Sequence, residues 1–286
     1  MKEKKVSKTV TLADIQNKKA SGEKITMLTA YDYSMARILD EAGLDIVLVG
    51  DSLGMVALGY DSTVPVSMEE MIHHCSAVRR GVNRALLIGD MPYLSYQISK
   101  NEAVKNAGRF IKNAGCHGVK LEGGYDMAPT IEKMVKAGIS VMGHIGLTPQ
   151  TAIALGGYKV QGRDLKSAKK LIEDAKAVAN AGAFSLVLEC IPSIIAKTIT
   201  EMVSIPTIGI GAGPHCDGQV LVINDLLGFF EKFTPSFVKR YVNLNPKIKE
   251  AIDNYINEVK NGVFPGPEHS FRGGEELLED LKSENK

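Results

Sequence analysis

Asp45-Ile-Val-Leu-Val-Gly-Asp51-Ser52-Leu-Gly54 is an apolar run that stops abruptly in a carboxylate, a hydroxyl and a glycine. It is too short for an ordinary helix and too apolar for a strand with one wet face. Residues 45–50 therefore read as a parallel strand buried on both faces, with its chemistry at the C-terminal end. The same grammar recurs in Ala85-Leu-Leu-Ile-Gly-Asp90, Gly118-Val-Lys120-Leu-Glu122-Gly-Gly124, Ser140-Val-Met-Gly143-His144 and Ser185-Leu-Val-Leu-Glu189-Cys190. One charged strand end is a chance surface residue, but five imply convergence on one pocket. In a closed parallel barrel all the C-terminal strand ends open onto a single mouth, where such folds place their active sites.

Around these strands the pattern alternates with helices. Thr11 caps a short helix over 11–21, and residues 25–31 form the first strand. Asp32 opens a helix that closes at Gly43. Residues 54–63 read as a loop, and Ser67-Met-Glu-Glu70 and Ser99-Lys-Asn-Glu102 read as capping boxes. Helices over 127–137, 165–181 and 192–203 separate the later strands, and Gln219–Asp225 supplies an eighth strand. Such alternation suits either a closed barrel or an open doubly wound sheet. Charged ends spread over five strands favour the closed α/β barrel, because an open sheet gathers its ligands at one switch point. Residues 1–271 are expected to form one (β/α)8 barrel domain with an N-terminal helix and outer helices after Pro235, and 272–286 a charged, frayed tail.

A chain of 286 residues with 44% hydrophobic content suits one barrel, which typically needs about 250 residues. No run of about 18 apolar residues suggests a membrane span. A net charge of +1 argues against nucleic acid as a partner. The basic start is not followed by an apolar stretch and does not read as a secretory signal. Cys75, Cys116, Cys190 and Cys216 are scattered without a CxxC pair, which suits reduced thiols in a cytoplasmic protein.

Asp51, Asp90 and Glu122 offer three hard oxygen ligands without clustered His or Cys, a set that suits magnesium better than zinc. Each could equally cap the helix after its strand. Lys120 and Glu122 stand two apart and so point to one face. They are either a buried ion pair or a ligand-binding pair. His144 reads as an active-site group or a satisfied core histidine, and His73 and His74 as ordinary helix residues. Gly209-Ile-Gly211-Ala-Gly213 fails as a dinucleotide fingerprint, since a loop rather than a helix follows, and reads as a tight turn where barrels hold anionic groups. The long connection 145–163 is either a lid over an anionic ligand or a subunit contact.

Thr29-Ala-Tyr31-Asp32, Val49-Gly-Asp51-Ser52-Leu-Gly54, Lys120-Leu-Glu122-Gly-Gly124, Gly143-His144-Ile-Gly-Leu-Thr148-Pro149-Gln150, Gly157-Tyr158-Lys-Val-Gln-Gly162-Arg163 and Leu188-Glu189-Cys190 together resemble the ketopantoate hydroxymethyltransferase family over nearly the whole chain. The resemblance implies a TIM barrel of the phosphoenolpyruvate/pyruvate type, bound Mg2+ and a homo-oligomer, typically a decamer. It also implies transfer of a one-carbon unit from 5,10-methylenetetrahydrofolate to 3-methyl-2-oxobutanoate, in the first step of pantothenate synthesis. Carried over residue by residue, it assigns Asp51, Asp90 and Glu122 to the metal, and Asp51, Ser52, Asp90, Lys120 and His144 to the oxoacid. Glu189 becomes the catalytic base. A carbon–carbon lyase on the same barrel lacks support, because the chain has no Lys-Lys-Cys-Gly-type loop. A non-catalytic oxoacid sensor would not need Glu189 beside a full metal set.

Overall fold

Eight parallel strands close on themselves in sequence order, the last pairing with the first. The computed structural model describes residues 8–152, 157–229 and 235–284. Most of the basic start and residues 153–156 of the long connection lie outside the described residues. In chain order the elements are α1 (Leu12–Ser21), β1 (Ile25–Thr29), α2 (Tyr33–Glu41), β2 (Ile46–Val49), α3 (Leu53–Val56), α4 (Met68–Gly81), β3 (Leu86–Asp90), α5 (Lys100–Ala114), β4 (Gly118–Glu122), α6 (Ala128–Lys136) and β5 (Val141–Gly146). They continue with α7 (Leu165–Asn180), β6 (Ser185–Glu189), α8 (Ser193–Met202), β7 (Thr207–Ile210), β8 (Gly218–Leu221), α9 (Ile223–Leu227), α10 (Asn245–Lys260) and α11 (Glu275–Glu284).

Every residue of β2, β3 and β4 is buried, as expected for strands covered by side chains on one face and helices on the other. Met27, Ile46, Leu48, Leu86, Ile88, Met142, Val187, Ile208 and Val220 belong to one core cluster, joined by Val10, Ile15 and Ile25 at the N-terminal end of β1. Capping follows the sequence closely. Thr11 and Ser67 each form the reciprocal box, with Asp14 and Glu70. At α5 Ser99 accepts from the Glu102 N–H without the return bond. Buried Asp40, near the end of α2, accepts from the backbone N–H groups of Asn83, Arg84 and Ala85 and so ties that helix to the entry of β3.

The strand register brings the charged ends side by side. Asp90 lies opposite Lys120, Glu122 opposite His144, and Gly146 opposite Glu189. An acid thus faces a lysine between β3 and β4 and a histidine between β4 and β5.

Four local expectations are corrected. The expected loop 54–63 is preceded by the one-turn helix α3, which runs into its first residues. The eighth strand ends at Leu221, and Ile223–Leu227 is helical, because the Ile223 N–H turns away to donate to Thr29 Oγ1. The outer helix begins at Asn245 rather than Pro235, with Pro246 in its first turn. The charged tail carries α11, whose Glu, Leu and Lys residues are good helix formers.

By compactness the chain divides into Met1–Leu226 with Phe230–Lys239, which holds the barrel, and Leu227–Phe229 with Arg240–Lys286. In the second unit α10 buries none of its residues and carries Ile248, Ile252, Tyr255, Ile256 and Val259 exposed.

Candidate active site

The barrel's C-terminal mouth opens into a cavity of about 350 Å³ whose lining includes Asp51, Ser52, Asp90, Lys120, Glu122, His144 and Glu189. All the residues expected at the site from strand ends and resemblance are therefore together. Asp51, Asp90, Lys120, Glu122 and His144 are each at most 5% exposed, while Glu189 is partly open to the cavity. Apolar side chains complete the wall, among them Met55, Leu147, Pro149, Tyr158, Val160 and Phe237.

Lys120 Nζ lies 2.9 Å from Asp90 Oδ1 and donates to His144 Nδ1 at 3.3 Å. An ammonium has no acceptor, so His144 Nδ1 accepts, and the ring carries its proton on Nε2. That nitrogen lies 3.2 Å from Glu189 Oε2. Burial lowers the imidazole's pKa and the Lys120 charge lowers it further, so His144 is neutral. The Asp90–Lys120–His144–Glu189 row thus links three strand ends to the fourth.

Burial alone would push Lys120 toward its neutral form, but the facing Asp90, Glu122 and Asp51 hold its pKa above the ordinary lysine value. The carboxylates do not fare as well. Burial, reinforced by Asp51, raises Asp90 from 3.8 to about 7 against the pull of Lys120. Glu122 is raised well above its usual range, by burial first and then by Asp51. Buried Asp51, Asp90 and Glu122 share one buried ammonium and one neutral imidazole, more acidic groups than Lys120 alone can balance.

Protein N–H donors take one oxygen of each floor carboxylate, and the other oxygen of Asp90 carries the ion pair with Lys120. Asp90 Oδ2 accepts from the Asp51 N–H at 3.2 Å, Asp51 Oδ2 from Gln150 Nε2 at 2.9 Å, and Glu122 Oε2 from the Gln150 N–H at 3.1 Å. The buried Glu122 Oε1 has no hydrogen-bond partner among the described residues, and its contact with His144 Nδ1 is 3.6 Å. Ser52 Oγ pairs with Tyr31 OH at 2.9 Å at the edge of this floor.

Two backbone features set the Glu189 side. Cys190 has φ of 48°, an uncommon conformation for a residue with a side chain, directly after the glutamate. Gly146 has φ of 98°, and a Cβ there would collide with the Glu189 carbonyl oxygen, which accepts from the Leu147 N–H at 2.9 Å. Burial, with help from Glu189, pushes the Cys190 thiol up to about 12, so it remains a thiol and not a nucleophile.

Gln150 and Tyr96 are site residues that the reading of strand ends missed. Gln150 stands within a quoted motif, directly after Pro149 in a short 3-10 turn, and Tyr96 follows Asp90 by six residues in a loop. Two turns expected to hold ligand groups appear in different ways. The glycines after β7 form a tight turn with positive φ at Gly211 and Gly213. From the long connection, Tyr158, Lys159 and Val160 line the cavity. His73 and His74 lie in α4 as expected, with His74 Nδ1 bonded to the Tyr31 carbonyl.

The profile of the ketopantoate hydroxymethyltransferase family matches residues 9–267. A 3-methyl-2-oxobutanoate hydroxymethyltransferase of Syntrophomonas wolfei is 58% identical over 272 residues, spanning 95% of this chain and 99% of that protein. One of Desulfotalea psychrophila is 59% identical over 261 residues, spanning 91% and 94%. Among solved structures, phosphonopyruvate hydrolase in complex with oxalate and Mg++ superposes with a TM-score of 0.60 at 12% identity, covering 97% of this chain and 96% of that one. A 2,3-dimethylmalate lyase of the PEP mutase/isocitrate lyase superfamily superposes at 0.56 and 13%, covering 96% and 97%. At such identities the structures bear on the fold alone, which is the expected closed (β/α)8 barrel.

The raised pKa of Asp90 has a consequence for stability. With no ion bound, folded Asp90 keeps its proton up to about pH 7, whereas the unfolded chain releases it near 3.8. Folding therefore binds a proton in that window, and Asp90's contribution is lost as pH rises through about 7. Thermal unfolding of ion-free protein should show wild type losing ground to Asp90→Asn as pH rises from about 4 to about 7. A difference that stays constant, or reverses, contradicts the assignment.

Proposed function

The chain belongs to the ketopantoate hydroxymethyltransferase family, a transferase family of pantothenate biosynthesis acting on 3-methyl-2-oxobutanoate, and from that premise we propose how its own residues carry the reaction. The observation that carries the reading is the mouth itself: the carboxylates of Asp51, Asp90, Glu122 and Glu189, the Lys120 ammonium and the neutral His144 converge in one cavity, which Lys159 and Asp225 also line, and a buried glutamate oxygen is left unbonded.

That donor set fits Mg2+. Its oxygens are hard and its negative charge is in surplus, which a dication offsets. Asp51 and Asp90 would hold the ion, with Glu122 contributing through its unbonded side. Among the described residues no three His, Cys, Asp or Glu groups close around one point. Magnesium suits such an incomplete cage, because it commonly keeps water and takes one or two carboxylates together with ligand oxygens. When bound, the ion supplies Lewis-acid stabilisation of negative charge developing on the keto oxygen.

Lys120 adds a fixed positive charge beside that oxygen or the substrate carboxylate, and its ion pair with Asp90 prevents it from swinging away. Ser52, braced by Tyr31, supplies a hydroxyl at the edge of the floor. Glu189 is the general base that removes the C3 proton. It stands on β6, apart from the floor carboxylates of β2 to β4, and is the most exposed of the four. The neutral His144 lies with Nε2 3.2 Å from Glu189 Oε2 and adds no charge that would neutralise the carboxylate. The carbon freed of its proton attacks the methylene carbon of 5,10-methylenetetrahydrofolate and forms the new C–C bond as one of that carbon's two C–N bonds breaks; water then supplies the hydroxyl as the second C–N bond breaks, and the two folate nitrogens take up the C3 proton and the proton from water. Overall, oxoacid, methylene donor and one water give the hydroxymethyl product and tetrahydrofolate.

The four free cysteines suit a reducing, cytoplasmic setting, and among the described residues no helix is long and apolar enough to cross a membrane. The exposed apolar face of α10 supports assembly into a homo-oligomer, for which the family resemblance indicates a decamer. Light scattering should report a species larger than a dimer at micromolar concentration, and a monomer contradicts that assembly.

Glu189→Gln separates binding from chemistry. The amide keeps the size of the side chain but cannot take a proton, so exchange of the C3 hydrogen of 3-methyl-2-oxobutanoate with deuterated water should slow by roughly 10²–10⁴-fold. Proton NMR without folate measures it, with oxoacid binding checked by calorimetry. Equal exchange in the two proteins excludes Glu189 as the base.

A further inference from the structure

The reaction outlined above makes no use of Gln150, yet this residue bonds to the ends of three strands. Its side-chain Nε2 donates to Asp51 Oδ2 beyond β2 and to the Met91 carbonyl beyond β3, both at 2.9 Å. Its main-chain N–H donates to Glu122 Oε2 at the end of β4 at 3.1 Å. Its Oε1 accepts from Tyr96 OH at 2.7 Å, with Gln97 Nε2 at 3.4 Å as a weaker second donor. Tyr96 OH in turn accepts from the Glu122 N–H at 3.1 Å. Gln150 and Tyr96 are both buried.

The direction of every bond in this set is determined. A carboxylate at the site and the Met91 carbonyl can only accept, so the amide nitrogen must face them and the amide oxygen must face Tyr96. The Tyr96 hydroxyl then has its proton on Gln150 and its lone pair on Glu122 N–H. An amide turned the other way would set its oxygen against two acceptors and leave both without a donor in the interior. No other side chain offers two donors and an acceptor in this arrangement: glutamate has no donor, and methionine, of similar length, has neither.

We infer that Gln150, held by Tyr96, is a positioning residue for the ion-binding carboxylates, fixing which oxygen of Asp51 and which of Glu122 faces the ion. The inference rests on the divalent-ion reading given above. By occupying Asp51 Oδ2 and Glu122 Oε2, Gln150 leaves the opposite oxygens to the cavity, and Glu122 Oε1 is among the buried side-chain atoms without a hydrogen bond. Without the amide, Asp51 is free to rotate. Partners of this kind, which orient metal ligands without touching the metal, commonly change metal affinity by about 10–100-fold when removed.

The test is calorimetric titration of Mg2+ into folded wild type, Gln150→Met, Tyr96→Phe and the double variant, with thermal unfolding measured alongside. Gln150→Met should weaken Mg2+ binding by about 10–100-fold. Tyr96→Phe should weaken it less, and the double variant should be no weaker than Gln150→Met within about twofold, because the two act through one chain of bonds. Unchanged Mg2+ affinity in Gln150→Met, whatever its melting temperature, overturns the inference and makes Gln150 an anchor of its loop. Should Gln150→Met not fold, Tyr96→Phe decides by the same criterion. Failure of wild type to bind Mg2+ overturns the ion reading itself and the inference with it, an outcome distinct from a loss confined to the variants.

Discussion

The site depends on a charge imbalance that the fold cannot remove. Parallel strands buried on both faces bring Asp51, Asp90 and Glu122 into a water-poor space together, and one lysine cannot neutralise them. Burying an unpaired carboxylate is strongly unfavourable, so such a group either takes up a proton or finds a cation. Asp90 and Glu122 take the first course when no ion is present. On the function proposed above, a dication would supply the second and turn an unfavourable arrangement into a binding site. The same low-dielectric setting strengthens every charge contact made to a substrate oxygen there. His144 adds no positive charge, because burial first and the Lys120 ammonium second disfavour its imidazolium, and in the proposed mechanism this leaves Glu189 free to act as a base.

The rest of the molecule holds that arrangement steady. Barrel closure fixes the register that sets Asp90 against Lys120 and Glu122 against His144. Gly146 and the strained Cys190 let the turns after β5 and β6 approach closely enough to seat Glu189. Loop donors then finish what the strands begin, since Gln150 and Tyr96 reach across from the turns after β5 and β3.

The strand ends were legible in the sequence for a physical reason. A strand buried on both faces must be an unbroken apolar run, so a charge that ends it stands out, and closure of the barrel makes all such ends neighbours. Asp51, Asp90, Lys120, Glu122, His144 and Glu189 are gathered as that argument requires. Side chains that act from loops leave no comparable mark. Gln150 is one polar residue among several, and its importance comes from bonds to residues 28 and 99 positions away in the chain. The eighth strand was read too long because Val220 to Ile223 is apolar throughout. Its end is set by a tertiary bond to Thr29 that periodicity does not encode. The charged tail read as frayed because charge was weighed above the helix propensity of the same residues.

The central claim is that one divalent ion relieves the buried negative charge of the floor. Calorimetric titration of Mg2+ into wild-type protein at pH 7, repeated in buffers of different ionisation enthalpy, tests it most directly. An ion entering a site where Asp90 sits near its midpoint, at about 7, and where burial raises the pKa of Glu122 as well must displace protons. The account predicts measurable proton release on binding that diminishes as pH is raised. Binding without proton release at pH 7, or no binding in the millimolar range, contradicts it.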